Sequence, residues 1–407
     1  MKKISASLRL LIFISCCGAL ALFSSTISKS PILPIFAIEL GATNAQVGWI
    51  ASMSTIPGIL ISYIAGYLAD KYGYKKILIA SLLIFASAPF LYLLIVNPVQ
   101  LGAVRFYHGF ATAAFGPVAM AVIAAFSGKN IGQNLSIYSS ATMIGRALAP
   151  IVGGTSYDIG GHKAVYTIAG IGGTLALFFA LLYFSRSKKS EILENTPKEA
   201  AEKDMAKNES FFKKFLGLLT YAPLLFVSIL NACMFFAYGA FEMVFPLFAK
   251  EQNISSGLIG VLLSIQLVGV IIFKPFFGRL SDKLGRLPMM ISGLLVCSVS
   301  FFLLAGIKSV YVLAPVIIIY GLGFALFTAS TNALAADVAK IGAMGASLGM
   351  MSTLMDVGQT IGPPVIGGVS DAYSYSAGVN VIGAIMLLAA IACTIWHFKR
   401  KAAQISK

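Results

Sequence analysis

Four charged side chains stand deep inside apolar runs: Arg105 in "AVRFYHGF", Arg146 in "TMIGRALAP", Glu242 in "GAFEMVFP" and Asp356 in "TLMDVGQT". His108 follows Arg105 by one helical turn. Ionisable groups in such positions are costly, and they mark places where protons, ions or charged substrates move. Burial disfavours the charged form of a carboxylate, which lets it take up and release a proton in each cycle. Glu242 and Asp356 are therefore candidates for proton coupling or for holding a substrate amine. Static pairing with arginines on neighbouring spans is the structural alternative. Arg105 either acts in the interior or snorkels to the outer interface. His108 is either a proton relay or a hydrogen-bonded packing residue. Lys29 and Lys274 lie within a turn or two of a membrane face and are expected to snorkel. Counting them, the interior holds four cations against two acids, a balance that suits an anionic substrate.

Such residues need a lipid-bounded scaffold. The chain of 407 residues is 58% hydrophobic and 11% charged, with a mean hydropathy of +0.87. A soluble domain carries about 25% charged residues, so the solvent for this chain is the hydrocarbon of a bilayer. All five cysteines fall inside apolar runs, which points to buried thiols rather than a disulfide. Neither their spacing nor the three histidines suit a metal site, and no cofactor is expected. The sequence has no phosphate-binding G-x-x-x-x-G-K-[ST] loop, which argues against an ATP-driven pump. No long polar domain supports a membrane enzyme or a receptor.

About 20 apolar residues are needed to cross a bilayer as helix. Twelve such runs are expected, near 8–36, 45–68, 77–95, 99–126, 131–156, 164–184, 217–248, 255–278, 288–307, 309–335, 344–369 and 376–397. This predicts an all-α integral membrane protein with twelve transmembrane helices in two six-helix, pseudo-symmetric halves. The halves are 1–184 and 217–407, joined by a charged central loop at 185–216. The opening "MKKISASLRLLIFISCCGALALFSS" resembles a secretory signal, but eleven further spans make it an uncleaved first span. Lysines and arginines collect on one side: the N-terminus, Lys71, Lys75, Lys76, Lys129, the central loop, Arg279, Lys283, Arg286, Lys340 and the tail. The other side holds Lys163, Lys250 and Lys308. The positive-inside rule then puts both termini in the cytoplasm of a cell-membrane protein. The net charge of +15 is thereby explained by topology, and no nucleic-acid partner is expected.

The two halves repeat each other. At an offset of 212, "PIFAIE" (34–39) falls on "PLFAKE" (246–251). Gly66, Asp70, Lys71 and Gly73 of "GYLADKYG" fall on Gly278, Asp282, Lys283 and Gly285 of "GRLSDKLG". With two residues inserted later, "PIVGG" (150–154) falls on "PVIGG" (364–368). In this register Arg105, His108, Arg146, Glu242 and Asp356 face Ile317, Tyr320, Thr360, Ser30 and Thr142, so none of the candidate charges is copied. Paired repeats are how alternating-access carriers are built, with substrate near mid-membrane at the repeat interface. Copied features are expected to be scaffold or gate. Asp70 and Asp282 stand where one helix ends and the next begins, placed to accept backbone N–H groups at a positive helix end. A plain capped loop of cytoplasmic charge is the simpler alternative. Gly66 and Gly278 are expected to admit a neighbouring helix closely. Pro150, Pro363 and Pro364 remove backbone donors and bend spans five and eleven, while Gly153, Gly154, Gly367 and Gly368 allow close packing. Tyr107, Phe110, Tyr138, Phe235, Phe236 and Tyr238 are placed to line a cavity for flat apolar ligands, or to pack in the core.

Over essentially its whole length the chain resembles the major facilitator superfamily. The resemblance rests on G-x-L-x-D-x-x-G in "GYLADKYG", its echo in "GRLSDKLG", and Arg105 with Gly109 in "RFYHG". "SPILP" in span one and "GRALAPIVGG" in span five are similar to features of proton-coupled drug antiporters. Their signature reads G-x-x-x-G-P-x-x-G-G, and Ala149 stands here in place of the glycine before proline. A near-copy, "GQTIGPPVIGG", stands in span eleven. The resemblance implies that the charged turns latch the cytoplasmic side, that Arg105 tunes proton exchange, and that the carrier is a monomer. Two functions stay open at this level. One is a proton-coupled exporter of drugs or amphipathic compounds, with sodium the less favoured ion. The other is uptake or exchange of a small polar or anionic metabolite.

Overall fold

A backbone surrounded by hydrocarbon must pair every N–H and C=O within the chain, which favours uninterrupted helix. The computed structural model describes residues 6–60, 69, 72–127, 130–186, 221–307, 309–338 and 344–405, and no strand occurs among them. Span one is α1 (Ala6–Ile27) with α2 (Ile32–Glu39), and span two opens with α3 (Asn44–Ser52). Spans three and four are α4 (Tyr74–Tyr92) and α5 (Pro98–Phe126), and α6 (Ile131–Arg186) carries spans five and six. Spans seven to nine are α7 (Ala222–Glu251), α8 (Ser256–Leu284) and α9 (Arg286–Gly306). Spans ten to twelve are α10 (Val310–Val338), α11 (Met344–Ala372) and α12 (Tyr375–Ile405).

Among the described residues, nine stretches are long and apolar enough to cross a bilayer. One of them, Ile131–Ser185, holds two spans, because Gly160 and Gly161 leave helical geometry with φ of −141° and +63°. The helix α11 is long enough but more polar, and part of span two lies outside the described residues. The nine stretches, one of them double, and α11 account for eleven of the twelve expected spans among the described residues. Two spans depart from expectation by being broken. Pro31 has no N–H to donate, and a turn at 28–31 divides span one. A second turn, at 53–55, interrupts span two just before Pro57.

The chain divides into two units. The first comprises Met1–Gly41, Met53–Lys207 and Ser255–Val261; the second comprises Ala42–Ser52, Asn208–Ile254 and Leu262–Lys407. In the first, α1 lies along α6, and α4 packs on α5 and α6. Their shared core includes Leu82, Phe85, Phe115, Val118, Tyr138 and Ala176. Tyr138 is thus a core residue rather than a cavity wall. In the second unit α7 lies along α11, while α9 packs on both α10 and α12. Small residues let these helices touch at the backbone: the Ala19 carbonyl meets Gly145 in one unit, and the Ala232 carbonyl meets Gly358 in the other.

Gly73 and Gly285 precede α4 and α9 with φ of +92° and +94°, a region essentially reserved for glycine. Both are N-cap residues, and a glycine has no side chain with which to cap its helix. Asp282 does not take over that role at α9. Its carboxylate pairs with Arg286 one turn on, a charge-assisted partner at i+4 that competes successfully for it. Gly278 faces open space where a side chain would start, as does Gly368, so neither serves the close helix packing expected of it. Gly66, Asp70, Lys71 and residues 187–216 of the central loop lie outside the described residues.

Gly285→Ala is expected to lower the thermal unfolding midpoint in detergent, at a cost of about 1–3 kcal/mol for the forbidden φ. Gly278→Ala, helical and facing open space, should leave the midpoint within error. Equal losses in both variants would show that backbone conformation at Gly285 is not what the turn requires.

Candidate functional site

In the first unit, Arg105 leaves α5 toward the turn that interrupts span two. Its Nη2 donates to Ser54 Oγ at 2.5 Å. Tyr92 Oη lies 3.4 Å from His108 Nδ1, and the Arg105 charge acts on the same phenol. Gly109 brings α5 onto the same turn, where a Cβ would lie 2.6 Å from the Ser54 carbonyl oxygen. Tyr92 stacks on Tyr166 with ring centroids 4.5 Å apart, and Phe85 meets His108 edge-on at 5.6 Å. Arg105 and His108 are only 2% and 1% exposed. Arg105 is thus fully enclosed and does not snorkel. Among the described residues, Arg105 Nε, His108 Nε2 and Tyr166 Oη have no hydrogen-bond partner. Arg146 is exposed on α6, and Lys29 is half-buried in the turn that breaks span one.

In the second unit, Glu242 sits about one turn before Pro246 in α7, and Tyr238 donates to its Oε1 at 2.9 Å. Phe324 and Phe235 flank Tyr238 at 5.1 and 6.0 Å. Phe241 and Phe301 close on Tyr320 at 4.8 and 4.7 Å. The helix α11 touches α7 where the Ala232 and Phe236 carbonyls meet Gly358 and Gly362. Asp356 therefore stands on the helix next to the one bearing Glu242. It is half-buried. The candidate bases Arg105, His108 and Arg146 all fall in the first unit, and both candidate acids fall in the second.

The residues around these centres include several that sequence reasoning did not single out. At the start of α9, Arg286 Nε donates to Asp337 Oδ2 at 3.1 Å and Nη1 donates to Ser281 Oγ at 2.8 Å, beside the pair with Asp282. The only signal for this cluster was the i+4 spacing of Asp282 and Arg286. At the far end of α8, Asp158 accepts from the Ser256 and Gly257 amides at 3.0 and 2.7 Å. Asp371 likewise accepts from the Asn44 and Ala45 amides at 2.8 Å each. Beside these bonds the Ser256 and Pro150 carbonyls meet Gly154 and Gly260, and the Asn44 and Pro363 carbonyls meet Gly367 and Gly48.

These matching contacts correct the alignment of the halves. Pro150, Gly154 and Asp158 correspond to Pro363, Gly367 and Asp371, a constant offset of 213, so one residue is inserted and not two. Arg146 then stands opposite Gln359, and Asp356 opposite Met143. Neither charge is copied in this register either.

The chain matches the model of the Major Facilitator Superfamily over residues 14–252 and 227–407. It is 25% identical to the uncharacterized MFS-type transporter MJ1560 of Methanocaldococcus jannaschii, covering 88% of this chain and 92% of that one. It is 24% identical to the quinolone resistance protein NorA of Staphylococcus aureus, covering 88% of this chain and 90% of that protein. Its fold is similar to the crystal structure of the nucleoside transporter NupG, with a TM-score of 0.74 at 17% identity, covering 95% of this chain and 98% of that one. At that identity the likeness speaks for the fold alone.

Between spans five and six, Glu39 accepts a hydrogen bond from the Tyr157 hydroxyl. His162 Nδ1 lies 3.9 Å from Glu39 Oε2, and its ring stacks on Phe36 at 4.3 Å. Burial lowers the pKa of His162; Glu39 opposes that shift and Lys163 adds to it. Ring-proton NMR of histidine-labelled protein, which has three histidines, should give a midpoint below the usual value of about 6.5. Glu39→Gln removes the opposing charge and should move the midpoint further down, while Lys163→Gln should move it up. A rise on Glu39→Gln would mean that the ring does not sense that carboxylate.

Proposed function

The chain belongs to the major facilitator superfamily, and from that premise we propose that it is a proton-coupled exporter of drug-like or amphipathic compounds. In this reading it works by alternating access in the cell membrane, with both termini in the cytoplasm. That it is a transporter and not an enzyme follows from the family. The observation that carries the reading is the setting of Glu242. Its carboxylate is held by Tyr238 beside the rings of Phe235 and Phe324, on the helix adjoining the one that bears Asp356. A carboxylate among aromatic faces can hold an amphipathic cation by charge and by stacking, or it can hold a proton, but not both at once. Such competition is the physical basis of exchange, because binding of either ligand shifts the population away from the other. The similarity to a quinolone resistance protein supports the same direction. The Asp282–Arg286–Asp337 cluster serves in this reading as the cytoplasmic latch.

Arg105 supports a second reading. It is buried and bonded to the neutral Ser54, and a guanidinium so placed favours an anionic metabolite as cargo.

Purified protein in vesicles with a fluorescent cationic dye and an imposed proton gradient separates the two. Wild type should move dye with the gradient. Glu242→Gln and Asp356→Asn should each bring movement down to that of protein-free vesicles, and Tyr238→Phe should slow it partially. If dye movement ignores the gradient and both substitutions, the exporter reading is wrong. Saturable transport of an organic anion that Arg105→Gln abolishes would select the second.

A further inference from the structure

The helix starts at 43–46 and 255–258 meet a common need, since the first N–H groups of a helix have no partner within it. At α3, Thr43 Oγ1 accepts from the Gln46 amide at 3.3 Å and Gln46 Oε1 accepts from the Thr43 amide at 3.0 Å. This is a reciprocal capping box. At α8, Ser255 Oγ accepts from the Leu258 amide at 3.3 Å. Each local cap thus serves the third residue of its helix and leaves the first and second amides over. Asp371 and Asp158 take these remaining pairs. A negative charge at a helix N-terminus also meets the favourable end of the helix dipole.

We infer that Asp158 and Asp371 are positioning residues of the transport cycle: a matched pair of clasps that hold one conformation shut and release together. The inference rests on the alternating access proposed above. Several observations support it. Each clasp joins the sequence halves, because Ser255–Val261 belongs to the first unit and Ala42–Ser52 to the second. Around each clasp the helices meet at their backbones, at Gly154 and Gly260 and at Gly48 and Gly367, and beside the second clasp the Tyr375 hydroxyl also donates to Asn44 Oδ1 at 2.9 Å. Both carboxylates are exposed, so water can take over the amides once a clasp opens. The helix α8 runs from the Ser256 clasp to the Asp282–Arg286 cluster, which places a releasable contact at each of its ends.

Hydrogen–deuterium exchange of the purified full-length protein, followed by mass spectrometry, tests this without substrate or gradient. The peptides read are those spanning residues 44–52 and 256–262. Asp371→Ala removes the acceptor for Asn44 and Ala45 and should speed exchange there. If the clasps release together, it should also speed exchange at Ser256 and Gly257, which it does not touch, and Asp158→Ala should produce the reciprocal effect. Asp371→Asn and Asp158→Asn, which keep an acceptor oxygen, should give smaller changes of the same pattern and serve should an alanine variant fail to fold. Faster exchange confined to the substituted clasp overturns the inference and leaves two independent caps. No change at either peptide overturns it as well. A protein that moves no dye yet shows the reciprocal effect would refute the cargo reading and leave the clasps standing.

Discussion

An amide that loses its partner in hydrocarbon has no water to turn to, and much of this structure is arranged around that constraint. The two broken spans show it most directly. Where span one turns at 28–31, Ser28 Oγ donates to the Ser24 carbonyl at 2.8 Å, and Ser24 Oγ donates to the Ala169 carbonyl at 2.7 Å. Where span two turns at 53–55, Ser54 receives Arg105. Side chains thus anchor the interruptions, and one interruption holds the most deeply enclosed arginine of the first unit. At the helix starts the same need is met by carboxylates from distant parts of the chain. Polar groups here are structural glue before they are chemistry.

On this repeated scaffold the titratable groups are distributed unequally. The first unit encloses Arg105 and His108 around Tyr92; the second holds Glu242 and Asp356 on adjoining helices beside an aromatic wall. The position of His108 is taken by Tyr320 in the second unit, where Phe241 and Phe301 enclose its ring. Equal backbones with unequal charges suit a carrier. Rocking motions draw on the likeness of the repeats, whereas selectivity and coupling draw on their difference.

The twelve spans, the duplication and the family were legible because glycines, prolines and acids recur in register. At the charged turn after span eight the residue types do not reveal the bonding. Asp282 has the position of a cap, but Arg286 at i+4 outcompetes the backbone, and a pattern of residue types does not rank such rivals. Gly278 looked like a packing glycine and faces open space, since identity alone does not tell what lies opposite. The pair Asp158 and Asp371 was hidden by one residue of misalignment. Matching "PIVGG" to "PVIGG" as strings placed Asp158 opposite Ala372 and concealed a copied acid. Carbonyl contacts at Gly154 and Gly367 restore the register, and they are a property of the folded backbone. The enclosure of Arg105 by Tyr92 was invisible for a similar reason, because the two residues lie on different helices.

The exchanged helix starts bear on whether either half can stand alone. A contact made twice, with donor and acceptor swapped between copies, is what two identical molecules form across a two-fold axis. Each six-span half offers an acid at one position and a bare pair of amides at another, and no half satisfies itself. A half separated from the other would leave its paired amides and its acid to water, so the exchanged helix starts make each half incomplete without the other.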